Sequence, residues 1–582
     1  MARITLSRNN ITWTIDVVAA NPVVGIDYGQ YCNGDWWVRG TCTVVAVSPA
    51  TITGATTRNG SMLNISASSA NQGHDSRESG GFLASLTVQF PVTMNPGDCL
   101  VSNIGVGQLL PNPITPYRSV PSASFTSITR NMAILTCELE TQSPNAFRPS
   151  YVAGTKYRFH KTQINWNRVP VLPVPSSVSS DPGLTAQLLR TWAGPWVDHV
   201  NHPVRARDMH PMDQMEEYGS DIARCVNDTA LWLALNIPQA TKEPILIGFL
   251  QWGIDLWGLW KNGRAWSVNG GQNPGRLLPM ILMGWILNYE PARTPIASNP
   301  GVDICEVQDT YLDAVGTGWW GGKSLARGGT VAPLFEETAI AGWTSSEVNE
   351  SDYMWCCRWD SYAGMSLVLR LWSTISAAFG GPVGRGSFWG EHWPFYSCVE
   401  RWRTPLNPAM HAAWAGTGSG IGTRGGTGAN FSHPYMDEMW DGWSAALHHN
   451  PWITRRPGGF ETPGVHPTLI LNKPPSFVGE HAFEIHHCPQ AVGALIMGRL
   501  QDPVIVGGAR MWTNHVAPLA SFPINRNGYN VATVVVPDMS IPILGGTSLP
   551  SLVIQAVWTG AAPEMASDAF IWQINPLVPT GA

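Results

Sequence analysis

Through the first 161 residues, apolar and β-branched positions fall in short runs separated by turn residues: Ile11 to Val18, Thr41 to Val47, Leu86 to Phe90 and Met132 to Cys137. Runs of this length and alternation read as strands, and their spacing predicts an antiparallel, sandwich-like β domain over residues 1–168. The pattern stops at Val169 to Pro182 (VPVLPVPSSVSSDP), whose prolines continue neither a central strand nor a helix. Residues 169–184 are therefore expected to be a linker. Beyond it the apolar positions recur at three and four, in Tyr218 to Leu235, Glu243 to Lys261, Arg276 to Leu287, Ser361 to Thr374, Phe388 to Trp402 and Tyr435 to His449. This predicts a mostly helical domain over 185–475. Strand-like runs return at Pro503 to Val506, Asn530 to Val536 and Leu552 to Trp558, giving a C-terminal β module over 476–582.

One helix departs from the ordinary amphipathic plan. Gly248 to Asn262 is apolar on nearly every face, except that Gly248, Gln251, Asp255, Gly258 and Asn262 recur at three- and four-residue steps and form one small, polar line. A helix buried all round except for such a line suits the inner ring of a toroid, with Asp255 facing a partly desolvated cleft as a general acid or base. An Asp bonded to a neighbouring element for structure alone is the competing reading.

Two neighbouring segments add complementary chemistry. Trp192 to Asp221 is the densest collection of aromatic and ionisable groups, with Trp196, Asp198, His199, His202, Arg205, Arg207, His210 and Tyr218. The loop Trp266 to Arg276 (WSVNGGQNPGR) is rich in amides and glycines, which let a backbone approach a ligand closely. A β-eliminating lyase needs a base for the C5 proton of a uronate, an acid for the leaving oxygen, and cations or amides on the carboxylate. His199 or His210 as base, Tyr218 as acid, Asn269, Gln272 and Arg276 on the carboxylate, and Trp252 and Trp266 as stacking platforms fit those needs. Histidines that merely tie loops over helix ends would produce the same text. A hydrolase would instead pair carboxyl groups, and Asp255 with Asp221, Glu391, Asp437 or Asp441 supplies candidates.

Composition narrows the classes. With 44% hydrophobic and 13% charged residues the chain is folded rather than disordered, and a net charge of -6 gives no field for binding nucleic acid. The 28 Trp against 16 Phe and 13 Tyr exceed what packing requires, and indole faces suit sugar rings. The ten cysteines show no C-x-x-C spacing, so reduced, mostly buried thiols are expected rather than a zinc ribbon. His199-x-x-His202, His448-His449 and His486-His487 match no metal-ligand spacing, and Gly316 to Gly321 lacks the strand that a dinucleotide loop follows. Neither a metal nor a cofactor is expected. Met1 to Asn10 lacks the three regions of a signal peptide, and Leu277 to Leu287 is too short to span a bilayer, so cytoplasmic synthesis without membrane insertion is expected.

The motifs Gly29 to Gly40 (GQYCNGDWWVRG), Arg58 to Met62, Gln72 to Ser76, Tyr218 to Ala223 and Trp252 to Leu256 resemble those of an uncharacterised bacterial and phage-associated family, from about Asn21 to Trp402. The order β, helical, β is similar to (α/α) toroid polysaccharide lyases. That resemblance implies a polysaccharide-degrading protein, lyase before hydrolase, carried on a virion as a tail spike or fibre. A non-catalytic glycan- or receptor-binding protein, or a structural virion component, is the alternative. The partner implied is a polysaccharide or cell-surface glycan, with a homo-oligomer or attachment to other virion proteins left open.

Overall fold

A computed structural model describes residues 2–17, 27–78, 81–105, 128–201, 209–267, 271–293, 304–308, 360–375 and 434–448, and strand segments between 468 and 573. Both β sheets and α helices are present, so the chain is of mixed class. It divides into two compact units: Met1–Asp309 with Ser351–Trp372 and Thr423–Met436, and Thr310–Glu350 with Ser373–Gly422 and Asp437–Ala582.

In the first unit β1 (Ala2–Arg8) and β2 (Ile11–Val17) form a hairpin, turned by Asn9 and Asn10, which both hold positive φ. Asparagine tolerates that conformation, and two such residues in a two-residue loop match the right-handed twist of the strands. Along β2, Ile11, Trp13, Ile15 and Val17 are buried and the residues between them half-buried, so the period-two pattern was a true strand signal. Next come β3 (Tyr28–Gln30), β4 (Trp36–Arg39), β5 (Cys42–Ser48), β6 (Ser61–Leu63), β7 (Val92–Met94), β8 (Cys99–Gly105) and β9 (Thr129–Glu138). They make a four-stranded sheet, β1-β2-β5-β7, and a five-stranded sheet, β3-β4-β9-β8-β6. One apolar cluster draws on both sheets, from Leu6, Trp13, Ile15 and Val44 to Leu100, Ile104, Ala133 and Leu135.

Two expectations need correction, and one strand was not foreseen. The pairing is not wholly antiparallel, because β4 and β9 run parallel. The run Leu86 to Phe90 is no strand: Ala84–Leu86 forms a 3-10 turn, and β7 starts only after Pro91. Strand β8 escaped notice because Ser102 and Asn103 interrupt its apolar text. The Ser102 hydroxyl is nonetheless buried, held by the Trp13 indole N–H at 3.0 Å and by Ser61 at 2.7 Å.

The longer helices of this unit are α1 (Leu184–Trp192), α2 (Gly219–Leu233), α3 (Gln239–Lys261), α4 (Leu277–Ile286) and most of α5 (Asp360–Ile375), while α6 (Pro434–His448) contributes only its first turn and lies otherwise in the second unit. Helix α3 begins four residues before Glu243 because Pro244 lies inside it rather than at its first turn. The expected helix at Phe388 to Trp402 lies outside the described residues. The Pro/Ser-rich stretch runs within the first unit: the Leu172 N–H donates to Ala234 O at 2.8 Å, and Leu172 O accepts from the Asn236 N–H at 2.7 Å.

In the second unit the described strands are β10 (Thr468–Leu471), β11 (Gly479–His486), β12 (Val492–Val506), β13 (Ala509–Thr513), β14 (Ala517–Pro523), β15 (Asn530–Val536), β16 (Ser551–Thr559), β17 (Met565–Ala566) and β18 (Phe570–Gln573). They pair antiparallel in a sheet β10-β11-β15 and in a second sheet built on β12 and β16. The three strand runs expected here fall inside β12, β15 and β16. Among the described residues no helix is long and apolar enough to cross a membrane.

Candidate functional site

The polar line on α3 meets the segment that follows β9. Gly248 packs on the backbone of Trp192, and Gly258 packs on Ser150. The Gln251 amide grips the Arg148 backbone from both sides, accepting from its N–H at 3.1 Å and donating to its carbonyl at 2.9 Å. Asn262 accepts from the Thr155 N–H. Asp255 takes two hydrogen bonds from the Arg148 guanidinium, at 3.0 and 2.6 Å, and the same guanidinium reaches Asp35 at 2.7 Å. From Gln251 to Asn262 the line is thus a docking seam between α3 and residues 148–155, while Gly248 abuts the end of α1, and the expected cleft in front of Asp255 is filled by protein. Burial pushes the Asp255 carboxyl up to about 6 against the pull of Arg148, with the second carboxylate, Asp35, adding to the rise.

The other candidates converge on Asp198, which the sequence placed in a dense segment without assigning it a role. Its Oδ2 accepts from the Trp266 indole at 2.6 Å and from Arg276 Nε at 2.8 Å. Oδ1 lies 3.5 Å from His210 Nε2 and 3.7 Å from Arg264 Nη2, and the Asp198 carbonyl accepts from Arg264 Nε at 3.2 Å. Burial opposes ionisation of this carboxyl, but Arg276, then His210 and Arg264, more than offset it and hold it well below the usual range. Two guanidiniums facing one carboxylate leave surplus positive charge in a desolvated place. Burial, with Arg276 adding to it, accordingly lowers Arg264 from its ordinary value despite Asp198.

Beside this cluster stands a pair of imidazoles. The rings of His74 and His199 lie 5.5 Å apart, edge to face, and Tyr151 flanks His199 at 5.8 Å. His74 Nδ1 is 3.4 Å from the Gly60 carbonyl, so that nitrogen is the donor and Nε2 carries the lone pair. Among the described residues neither ring nitrogen of His199 has a hydrogen-bond partner, and His199 is 1% exposed. Burial, then the neighbouring His74, drives His199 well below its usual value, and burial brings His74 down to about 4. Both rings are neutral near pH 7. The Tyr151 hydroxyl accepts from the Asp198 N–H at 3.0 Å and is kept protonated by burial and by Asp255. It joins the Asp198 cluster to the Arg148 seam.

His199, His210, Trp266 and Arg276 therefore meet, as the sequence suggested. Gln272 takes part through its carbonyl, which accepts from Arg276 Nη1 at 3.2 Å, and the first turn of α2, just after Tyr218, leans on the same loop through the Ser220 N–H to Gly271 O at 2.9 Å. Tyr218 itself is half-buried. Asn269 lies outside the described residues, as does His202. Asp255 belongs to the neighbouring seam. Trp252 and Trp266 are buried rather than open platforms: Trp252 packs on Trp196, which stacks on Trp192 at 4.3 Å. Among the residues whose side chains are described, no tryptophan is exposed, and most of the indoles in the first unit pack into its interior. His74, Tyr151, Arg148 and Arg264 were missed. The signal for His74 was its place in Gln72-Gly-His-Asp-Ser, while Arg264 stood as a lone cation just before a loop noticed for its amides.

Among the described residues no group of three His, Cys, Asp or Glu side chains could hold a metal ion. No protein-family model, curated protein or solved structure matches the chain.

Proposed function

We propose that the chain acts on an anionic polysaccharide by β-elimination, using the cluster around Asp198. The observation that carries this reading is the coincidence of surplus positive charge, from Arg264 and Arg276 against Asp198, with a neutral, unpartnered imidazole, His199. Arginines in a desolvated site bind a uronate carboxylate and stabilise the charge that develops as the C5 proton leaves. His199 takes that proton, the electron pair becomes the C4–C5 double bond, the C4–O bond breaks, and the leaving oxygen takes a proton from a tyrosine. Tyr151 is the tyrosine whose contacts tie it to the cluster, and Tyr218 is the second candidate. In this reading the two facing sheets of the first unit form a β-sandwich-like support for a toroid-like helical region, as in the lyases that the sequence resembles, and the protein is displayed on a virion.

A second reading rests on burial. His199, His210, Asp255, Trp252, Trp266 and Arg276 are all nearly inaccessible, which suits a polar core that fixes a non-catalytic glycan-binding or structural virion protein. Incubation with a panel of uronate-containing polysaccharides separates the two. Unsaturated products that absorb in the ultraviolet support elimination, reducing ends without unsaturation point to hydrolysis, and binding without products supports the second reading.

A further inference from the structure

Between β6 and β7 the motif Gln72-Gly-His-Asp-Ser folds into a clamp closed by one side chain. The buried Gln72 amide accepts from the His74 N–H at 2.6 Å and the Asp75 N–H at 2.9 Å, and it donates to the Asp75 carbonyl at 2.6 Å. From the other side the Gly60 N–H donates to the His74 carbonyl at 2.8 Å, while His74 Nδ1 donates to the Gly60 carbonyl at 3.4 Å. A methyl group at Gly60 would overlap the Gly73 and His74 carbonyls, and one at Gly73 would overlap the Leu86 and Thr87 backbone, so both close approaches need glycine. A buried amide bonded at both ends stiffens the loop it sits in. Backbone and ring of His74 are fixed together. The same loop is tied to the segment that carries His199, since the Asn201 N–H donates to the Ser69 carbonyl at 2.8 Å.

We propose that His74 is a positioning residue for His199, holding that imidazole in one orientation by ring contact where hydrogen bonds do not. The proposal rests on the reading of His199 as the base that takes the C5 proton. A base must aim one nitrogen lone pair at the proton it removes, and a hydrogen bond to the other ring nitrogen is the usual means of aiming it. Among the described residues His199 makes no such bond. Its ring is instead contained between two others: His74, with centroids 5.5 Å apart and planes at 61°, and Tyr151, at 5.8 Å and 79°. Each of these walls is anchored by contacts of its own. Tyr151 is held by the Asp198 N–H at 3.0 Å, and the Arg148 guanidinium lies 5.9 Å from its ring centre. His74 is held by the clamp. It acts through His199, so losing its flat ring frees the base to turn without removing any group from the chemistry.

The test uses the full chain with histidine labelled in 13C and 15N, each ring signal assigned by single His→Gln substitution. At neutral pH the wild type is expected to show His199 as one sharp signal of a single neutral tautomer, with a nuclear Overhauser contact to His74. In His74→Leu, which fills the space without a flat ring, the His199 signal should broaden or split, and in His74→Phe it should stay single. On an anionic polysaccharide, kcat should fall about tenfold or more in His74→Leu with KM unchanged, and recover to within about threefold of wild type in His74→Phe. A His199 signal as sharp and single in His74→Leu as in the wild type overturns the proposal. So does a wild-type His199 that averages between tautomers or shows no contact to His74, a result that decides even where a variant folds poorly. If the wild type turns over no polysaccharide, the elimination reading falls by itself, and the ring signals still judge whether His74 orients His199.

Discussion

Asp198 and Arg276, 78 positions apart in sequence, meet at 2.8 Å in an interior that leaves each no more than 2% exposed. A buried charge pair contributes little when kept whole, but leaving one partner alone costs about 3–5 kcal/mol. Arg276→Met is thus expected to destabilise the chain by that amount, since Arg264 stands 3.7 Å from the carboxylate and cannot replace a 2.8 Å bond. Chemical denaturation checks it, and the double variant with Asp198→Asn should lose less than the two single losses combined. An unchanged unfolding midpoint in Arg276→Met would mean that the pair does not hold the interior together.

The buried imidazoles set a pH dependence of known sign. His74 and His199 are lowered in the folded state, so the stability they contribute is complete above their unfolded value of about 6.5 and is lost as pH falls toward the folded values. Each contributes a slope of about 1.4 kcal/mol per pH unit through that window. Asp255 acts the other way: raised to about 6, its contribution is present at low pH and lost as pH rises from about 3.9 through 6. Stability measured from pH 7 to 5 should therefore fall less steeply in the double variant His74→Gln, His199→Gln than in the wild type. Parallel curves would count against two neutral histidines in the interior.

Glycine has opposite meanings in two helices. At Gly248 an added methyl group would overlap the Trp192 backbone, which cannot give way as a flexible side chain can, so Gly248→Ala is expected to cost about 1–3 kcal/mol. Gly442 in α6 has open space around it, and Gly442→Ala should stabilise by about 0.5–1 kcal/mol, the entropy that glycine loses in a helix. Urea unfolding of the two variants gives the comparison, and a Gly248→Ala variant as stable as the wild type would mean that α3 does not press on the Trp192 backbone.

Several elements could be read from the residues alone, β2 with its burial at every second residue among them. Strand β15 matches its run of Asn530 to Val536 residue for residue, and α2 and α4 fall within a residue or two of their apolar patterns. Failures came where a polar group is satisfied by a distant partner. Ser102 hid β8 because its bond to Trp13 spans 89 positions, and the α3 line suggested a cleft because Arg148, 107 positions away from Asp255, shows nothing locally of the ion pair it forms. The convergence of His199, His210, Trp266 and Arg276 was visible only as proximity along the chain. Asp198, the acceptor that gathers them, looked no different from any other aspartate in a crowded segment.

The elimination reading makes its sharpest demand on His199. Its ring nitrogens have no protein partner, so His199→Gln removes a base without breaking a hydrogen bond, and turnover on an anionic polysaccharide should fall by about a hundredfold or more. Tyr151→Phe should lower kcat in the same way if that hydroxyl protonates the leaving oxygen. Arg264→Lys, which keeps the charge but loses the planar fork, should act chiefly on KM. Near-ultraviolet circular dichroism of each variant confirms that the interior still packs. Wild-type turnover in both His199→Gln and Tyr151→Phe would remove the cluster from the chemistry. Glycan binding that survives in those variants, with no product formed by any of the proteins, would instead make the buried charges the frame of a binding or structural protein.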